Sequence, residues 1–94
     1  NISKKYNVKV DKIILFGSRA RGDYREDSDW DILIVTEDKL DKEKEINIWG
    51  ELTLKFAHME INTDIIIDNL LEFDRKKNDR GYVEYWVNKE GIEL

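Results

Sequence analysis

The chain has 94 residues, of which 40% are hydrophobic and 39% charged, and its net charge is −5. A chain of this length has room for one core, so we expect a single domain over residues 1–94. The absence of cysteine excludes disulfides and thiolate chemistry, and one histidine excludes sites that need two imidazoles. The acidic balance disfavours a bulk nucleic-acid binder. We expect neither a membrane span nor a secretory signal, and hence a cytoplasmic protein.

The first half of the chain is predicted to hold two strands separated by a polar turn. Asn1–Asn7 is expected to form the last turns of a helix. The apolar run Lys12–Phe16 predicts a buried strand, which a Gly-Ser pair ends. A short helix over Ser18–Arg21 is expected to follow, with Ser18 as its N-cap. The β-branched run Trp30–Val35 then predicts the second strand.

The second half is predicted to open with a long helix, Leu40–Met59, because apolar residues recur on one face at a helical spacing. Three shorter elements should follow: a strand at Asp64–Ile67, a helical turn at Asn69–Phe73 capped by Asp68 or Asn69, and a helix at Asp79–Lys89 with Gly91 as a left-handed C-cap. This order of elements predicts a small α/β (α+β) domain with at least three strands.

Two carboxylates stand at the start of the second strand. Asp29 and Asp31 lie two residues apart, so they should share one face of the strand, while Trp30 points the other way into the core. Asp64 opens another apolar strand and could join them. Three acids without an imidazole match an oxygen-ligand site for Mg²⁺ rather than a zinc site. The alternative is that Asp29 and Asp31 merely end a strand at a polar turn.

A glycine and a serine follow the first strand, and they favour the metal interpretation. Gly17 lets the backbone approach a ligand closely, and N–H groups that enter a helix bind phosphate. Ser18 adds a hydroxyl donor. The resulting pattern is Gly-Ser, ten residues, and then Asp-x-Asp.

These residues resemble a known family. Leu15–Asp23 and Asp27–Ile34 are similar to the signature of the nucleotidyltransferase superfamily that includes DNA polymerase β, and specifically to its minimal nucleotidyltransferases. Asn62–Ile67 resembles the strand that carries the family's third acid, and Val87–Leu94 resembles its closing helix and tail. The resemblance covers nearly the whole chain. It departs at Trp30, where aliphatic residues are common.

The resemblance implies a mixed β-sheet with helices packed mainly on one side, and transfer of AMP from ATP to a hydroxyl. Gly17 and Ser18 would hold the triphosphate. The three acids would share two Mg²⁺ ions: Asp29 and Asp31 would bind both, and Asp64 would complete one metal site while helping to deprotonate the acceptor. Two arginines are candidates for clamping phosphate, with a solvated surface charge as the alternative for each. Arg19 is counted with the nucleotide-binding residues, and Arg21 is the weaker of the two.

The resemblance also implies a partner, because many small members act as antitoxins of a HEPN-domain toxin and some adenylylate a tyrosine on it. Two alternatives stay open: transfer to a small molecule with the help of a second subunit, and a binding-only antitoxin. Either could involve a homo- or hetero-oligomer. Tyr82, Tyr85 and Trp86 are expected in the core, and any exposed part of this cluster would be a partner-binding face.

Overall fold

The computed structural model describes residues 2–94, so the predicted start of the first helix at Asn1 lies outside the described residues. Five helices and four strands follow one another along the chain. In order they are α1 (Ile2–Lys5), β1 (Val10–Phe16), α2 (Ser18–Arg21), β2 (Trp30–Thr36), α3 (Lys42–His58), β3 (Thr63–Asn69), α4 (Leu70–Lys76), α5 (Val83–Glu90) and β4 (Ile92–Glu93). The predicted α/β class is confirmed.

The four strands form one mixed sheet in the order β3-β2-β1-β4. β1 is antiparallel to both of its neighbours, β2 and β4, whereas β2 and β3 run parallel. The parallel register places Trp30 opposite Thr63 and Thr36 opposite Asn69. Because both strands run in the same direction, the residues at their starts meet at one end of the sheet.

Helices cover both faces of the sheet, which corrects the expectation that they pack mainly on one side. The reason lies in β2, where Leu33, Ile34 and Val35 are all buried although neighbouring side chains point to opposite faces. Leu33 and Val35 pack with Phe73 of α4 and Val87 of α5. On the other face, Ile34 lines an apolar cavity of about 360 Å³ with side chains of α1 and α3. A strand that is apolar on both faces needs cover on both.

The residue that caps a helix differs from the prediction in α2 and agrees with it in α4. α2 is preceded by Gly17, not Ser18, as its N-cap, and no side chain caps it. Of the two predicted caps of α4, Asn69 is the one observed, since its side chain accepts a hydrogen bond of 2.9 Å from the Glu72 N–H. None of the helices within residues 2–94 has the length and hydropathy needed to cross a bilayer.

The last helix departs most from the sequence prediction. α5 begins at Val83 rather than Asp79, and Gly91 has φ −72°, not a left-handed conformation. Gly91 is required for space instead, because a Cβ there would collide with Ile14 and with the Val87 carbonyl. The aromatic residues predicted for the core stay at the surface, with Tyr82 39% and Trp86 42% exposed. The chain then pairs with β1 as a short strand, β4, which was not predicted.

Candidate functional site

The three predicted acids come together where β2 and β3 begin. Asp31 is the second residue of β2, and the parallel register sets it directly opposite Asp64, the second residue of β3. Neighbouring strands lie about 4.8 Å apart, so these two carboxylates are adjacent. Asp29 ends the loop that leads into β2 and lies close enough for its charge to act on Asp31. The sequence-predicted acids therefore form one cluster.

The surroundings of Asp31 shift the pKa of its carboxyl. Burial raises the pKa of its carboxyl, and the negative charges of Asp64 and Asp29 raise it further, while the cation of Arg21 acts in the opposite direction. Like charges held at this spacing favour any cation that reduces their repulsion. The site thus has the electrostatic character of a cation-binding site that is only partly compensated by the protein's own arginine.

Gly17 forms the wall of the site that faces Asp31. It follows β1 with φ +71° and ψ −158°, a conformation almost confined to glycine. A Cβ added here would collide with the carboxylate of Asp31, which lies against the Gly17 backbone. The Gly17 backbone and the Asp31 carboxylate are consequently packed directly against each other.

The donor set fits Mg²⁺ rather than a metal that needs a complete protein cage. Within residues 2–94 no three acidic, histidine or cysteine side chains converge closely enough to enclose an ion by themselves. Mg²⁺ is usually held by one or two carboxylates together with substrate phosphates and water. Asp31 with Asp64 or Asp29 supplies that number of carboxylates, and the ligands still needed are those a triphosphate brings.

Two polar residues of α2 border this cluster. Ser18 is the first residue of the helix and follows Gly17 directly. Arg21 forms 3.4 Å ion pairs with Asp23 and Glu90, and its charge opposes the rise in the pKa of Asp31. Arg21 was the weaker phosphate candidate in the sequence, yet it lies on the side of the acids.

Arg19 is not brought to the acid cluster. Residues two apart on a helix project about 200° away from each other, so Arg19 and Arg21 leave α2 on opposite sides. Arg19 packs over the ring of Trp30, which borders an apolar cavity with Phe56 of α3, on the face of the sheet opposite Asp31. Helical spacing was the signal in the sequence that could have separated the two arginines.

Trp30 lies on the side predicted for it but not in the core. Its side chain is opposite Asp31 in direction and remains 37% exposed. The guanidinium of Arg19 lies over this ring, 4.4 Å from the ring centroid. The departure from the family's aliphatic residue therefore adds a stacking surface instead of core volume.

Fold and site together define a small α/β domain in which a cluster of acids lies against a glycine turn. The chain belongs to the family described as Polymerase beta, Nucleotidyltransferase, whose pattern matches residues 1–79. It is a nucleotidyltransferase domain, in agreement with the family resemblance of its sequence.

Two proteins of Methanocaldococcus jannaschii are similar in sequence, and both carry the name "putative protein adenylyltransferase". MJ0604 is 40% identical over 77 residues, which cover 82% of this chain and 72% of that protein. MJ0141 is 44% identical over 59 residues, which cover 60% of each chain. The chain thus spans between three fifths and three quarters of the length of these two relatives.

Solved structures share the fold at lower sequence identity. A toxin–antitoxin structure with AMP-PNP superposes with a TM-score of 0.65 at 21% identity, over 98% of this chain and 65% of that one. A complex of tri-AMPylated Shewanella oneidensis HEPN toxin with MNT antitoxin gives a TM-score of 0.56 at 17% identity, over 98% and 61% of the two chains. The chain therefore spans less than two thirds of either solved chain.

Proposed function

We propose that this chain uses Mg²⁺ to transfer AMP from ATP to a tyrosine hydroxyl of a HEPN-type partner protein, and that this modification is its antitoxin action. The observation that carries the proposal is the alignment of Asp31 with Asp64 across two parallel strands, with Gly17 packed against Asp31. A carboxylate pair beside a backbone turn offers ligands for a metal on one side and room for phosphates on the other.

In this proposal Gly17 and Ser18 hold the triphosphate, and Arg21 adds a positive charge beside it. Asp29 and Asp31 hold two Mg²⁺ ions, and Asp64 completes one of the two sites. The bound metal would neutralise charge that spreads over the phosphate oxygens during transfer. The protein's own contribution is to fix these oxygens next to the acids, which reduces the entropy cost of bringing the acceptor hydroxyl to the phosphorus.

In the proposed transfer, the acceptor oxygen forms a bond to the α-phosphorus of ATP. The bond from that phosphorus to the bridging oxygen breaks, and pyrophosphate leaves. The proton of the hydroxyl passes to a nearby base, for which we propose the Asp64 carboxylate. Asp64 is suited to this task because it is exposed at the start of the edge strand β3, where an acceptor can reach it.

The partner assignment is supported by the named relatives and the fold neighbours together. Relatives named as protein adenylyltransferases suggest a protein acceptor, and the neighbours include an antitoxin in complex with an AMPylated HEPN toxin.

Intact-mass spectrometry of the partner tests the proposal. The chain, a HEPN-type protein encoded beside it and Mg²⁺ are mixed with each nucleoside triphosphate in turn. We expect the partner to gain the mass of AMP with ATP alone, and to gain nothing when its tyrosines are replaced by phenylalanine. The Asp31→Asn variant of this chain should give no gain, whereas the exposed Asp38→Asn variant should match the wild type.

Two outcomes would replace the proposal. Neutralisation of the partner by stoichiometric binding, with no mass gain under any nucleotide, would make the chain a binding-only antitoxin. If ATP is consumed, the partner stays unmodified and a small molecule gains the AMP group, the acceptor is that small molecule.

A further inference from the structure

The guanidinium of Arg19 lies between two aromatic rings, one in the loop after α2 and one at the start of β2. The carbon of its guanidinium lies 4.4 Å from the ring centroid of Tyr24 and 4.4 Å from that of Trp30. Both distances are well within the range of cation–π attraction, and Arg stacks on such rings better than Lys because its guanidinium is planar. Tyr24 lies in the loop and Trp30 begins β2, so Arg19 joins the two ends of this connection.

The same guanidinium also holds the backbone of the loop. Its Nη2 donates to the Glu26 carbonyl at 3.1 Å and to the Ser28 carbonyl at 3.0 Å. The turn between them is closed by the Arg25 N–H, which donates to the Ser28 hydroxyl at 2.9 Å. Within residues 2–94 the Arg19 Nε–H has no hydrogen-bond partner although it is buried. Its donors are thus directed at the loop or enclosed by it.

Asp29 lies between two residues that this arrangement fixes. Ser28 is held through its carbonyl by Arg19. Trp30 is held by the stacked guanidinium and by its own N–H, which donates to the Asn62 carbonyl at 2.9 Å next to β3. Asp29 itself is exposed. The position of its carboxylate is therefore determined by its two neighbours rather than by contacts of its own.

We propose that Arg19 is a positioning residue that clamps the loop over residues 22–29 and so delivers Asp29 to the metal–nucleotide site without touching the nucleotide. The inference rests on the proposed function in so far as Asp29 acts as a metal ligand. It replaces the phosphate-binding role predicted for Arg19 from the sequence. A positioning role explains why an arginine two residues before Arg21 faces away from the acids.

The clamp itself can be tested without any assay of activity. Hydrogen exchange of the backbone amides over residues 22–29 should become at least tenfold faster in Arg19→Met, while exchange in β1 stays unchanged. Tyr24→Ala, which removes one exposed ring, should give a smaller increase in the same segment. Arg25→Gln is the matched control in the same loop and should exchange like the wild type. Unchanged exchange over residues 22–29 in both Arg19→Met and Tyr24→Ala would overturn the clamp.

The consequence for the site is tested by binding of Mn²⁺, measured by electron paramagnetic resonance in the presence of a non-hydrolysable ATP analogue. We expect Arg19→Met to raise the Mn²⁺ concentration at half saturation about tenfold, Arg19→Lys to raise it less, and analogue affinity at saturating Mn²⁺ to change less than twofold. Loss of analogue affinity at saturating Mn²⁺ would show that Arg19 contacts phosphate and would overturn the proposal. Absence of Mn²⁺ binding by the wild type would contradict the proposed function instead, and the exchange experiment would still decide the clamp.

Discussion

The carboxylate of Asp31 occupies the space that a side chain at Gly17 would need. The two residues come from different strands, since Gly17 follows β1 directly and Asp31 pairs with Phe16 across the antiparallel β1–β2 ladder. The closeness of this turn to this acid is thus a product of strand pairing. It makes the Gly-Ser turn and the acid cluster one contiguous unit, in which a side chain at residue 17 would displace Asp31.

Gly17→Ala should disrupt this unit. The φ of +71° with ψ −158° is costly for alanine, by roughly 1–3 kcal/mol, and the new methyl group must displace Asp31. Gly22→Ala is the matched control, because Gly22 also has a positive φ, of +88°, but has nothing within 4 Å of an added Cβ. We expect both variants to lose stability in urea unfolding, and only Gly17→Ala to lose calorimetric binding of Mg²⁺-ATP. Equal nucleotide binding by both would show that Asp31 has no fixed role beside the turn.

Asp31→Asn should separate stability from ligand binding. Burial and the charges of Asp64 and Asp29 raise the pKa of Asp31, so the ionised carboxylate is a source of repulsion in the metal-free protein. The amide keeps the shape and removes one charge, and the melting temperature without ligand should hold or rise. The stabilisation by Mg²⁺-ATP, which follows RT ln(1 + [L]/Kd), should largely disappear.

Paired melts with and without Mg²⁺-ATP check this expectation, and Asp38→Asn is the control because Asp38 is an exposed acid beyond the far end of β2. An Asp31→Asn protein that melts well below the wild type without ligand would identify Asp31 as a structural residue. Undiminished stabilisation by Mg²⁺-ATP would remove Asp31 from the metal site.

Local sequence patterns predicted the strands that carry the site. They did not predict features that depend on which elements of the chain lie next to one another. The β-branched runs predicted both β2 and β3, and the cap of α4 was narrowed to Asp68 or Asn69, of which Asn69 is the cap. The sequence also showed that Asp31 and Asp64 each stand near a strand start. That they face one another depends on the parallel register of β2 and β3, which no local pattern contains.

The incorrect predictions concern which face of an element is buried, because tertiary packing decides this. In α5 the aromatic side was expected in the core, but Glu84 and Val87 are buried and Trp86 is exposed. The two residues of β4 are too short for any periodicity and pair with β1 only through the fold. The stacking of Arg19 on Tyr24 and Trp30 also escaped prediction, because the path of the loop brings these rings to it and the local pattern around Arg19 does not contain that path.

Gly50→Ala should stabilise the protein. Gly50 lies inside α3, its φ is not positive, and an added Cβ would have nothing within 4 Å. Alanine reduces the entropy lost on folding, so we expect a gain of about 0.5–1 kcal/mol in the free energy of unfolding. For a chain of this size that is a rise of roughly 2–8 °C in melting temperature.

Gly91→Ala is the opposite case and serves as the control for Gly50→Ala. Its added Cβ would collide with Ile14 and the Val87 carbonyl, so its melting temperature should fall. In thermal melts, the melting temperature of the wild type should therefore lie between those of the two variants. A lower melting temperature for Gly50→Ala would indicate that this face of α3 makes a contact in solution that the isolated chain does not have.

A carboxyl pair remote from the site should make the stability depend on pH. Burial and the neighbouring Glu84 carboxyl together raise the pKa of Asp68 to about 7, against the opposing effects of the Asn69 N–H and Lys76. Glu84 is 6% exposed, and its Oε2 lies 3.9 Å from the Lys76 ammonium. The Asp68 Oδ2 is buried and has no hydrogen-bond partner within residues 2–94, so a negative charge there is poorly compensated.

The sign of the effect follows from the raised pKa. An unfolded aspartate titrates near about 3.9, so between that value and about 7 the folded state binds the extra proton. The stability that this proton supplies is complete below the unfolded pKa and is lost as pH rises through about 7. Glu51 and Glu72, whose pKa values are lowered by Lys5 and Arg75, act in the other direction, but only in more acidic solution.

We therefore expect the melting temperature of the metal-free protein to fall between pH 5 and pH 8, a range chosen around the pKa of about 7 for Asp68. Asp68→Asn should flatten this slope, because the amide does not titrate in this range and its oxygen still accepts from the Asn69 N–H, as Asp68 Oδ1 does at 3.1 Å. Asp38→Asn removes an exposed acid beyond β2 and should keep the wild-type slope. Identical slopes for Asp68→Asn and the wild type would show that Asp68 and Glu84 share no proton, and that the Lys76 ammonium alone compensates the pair.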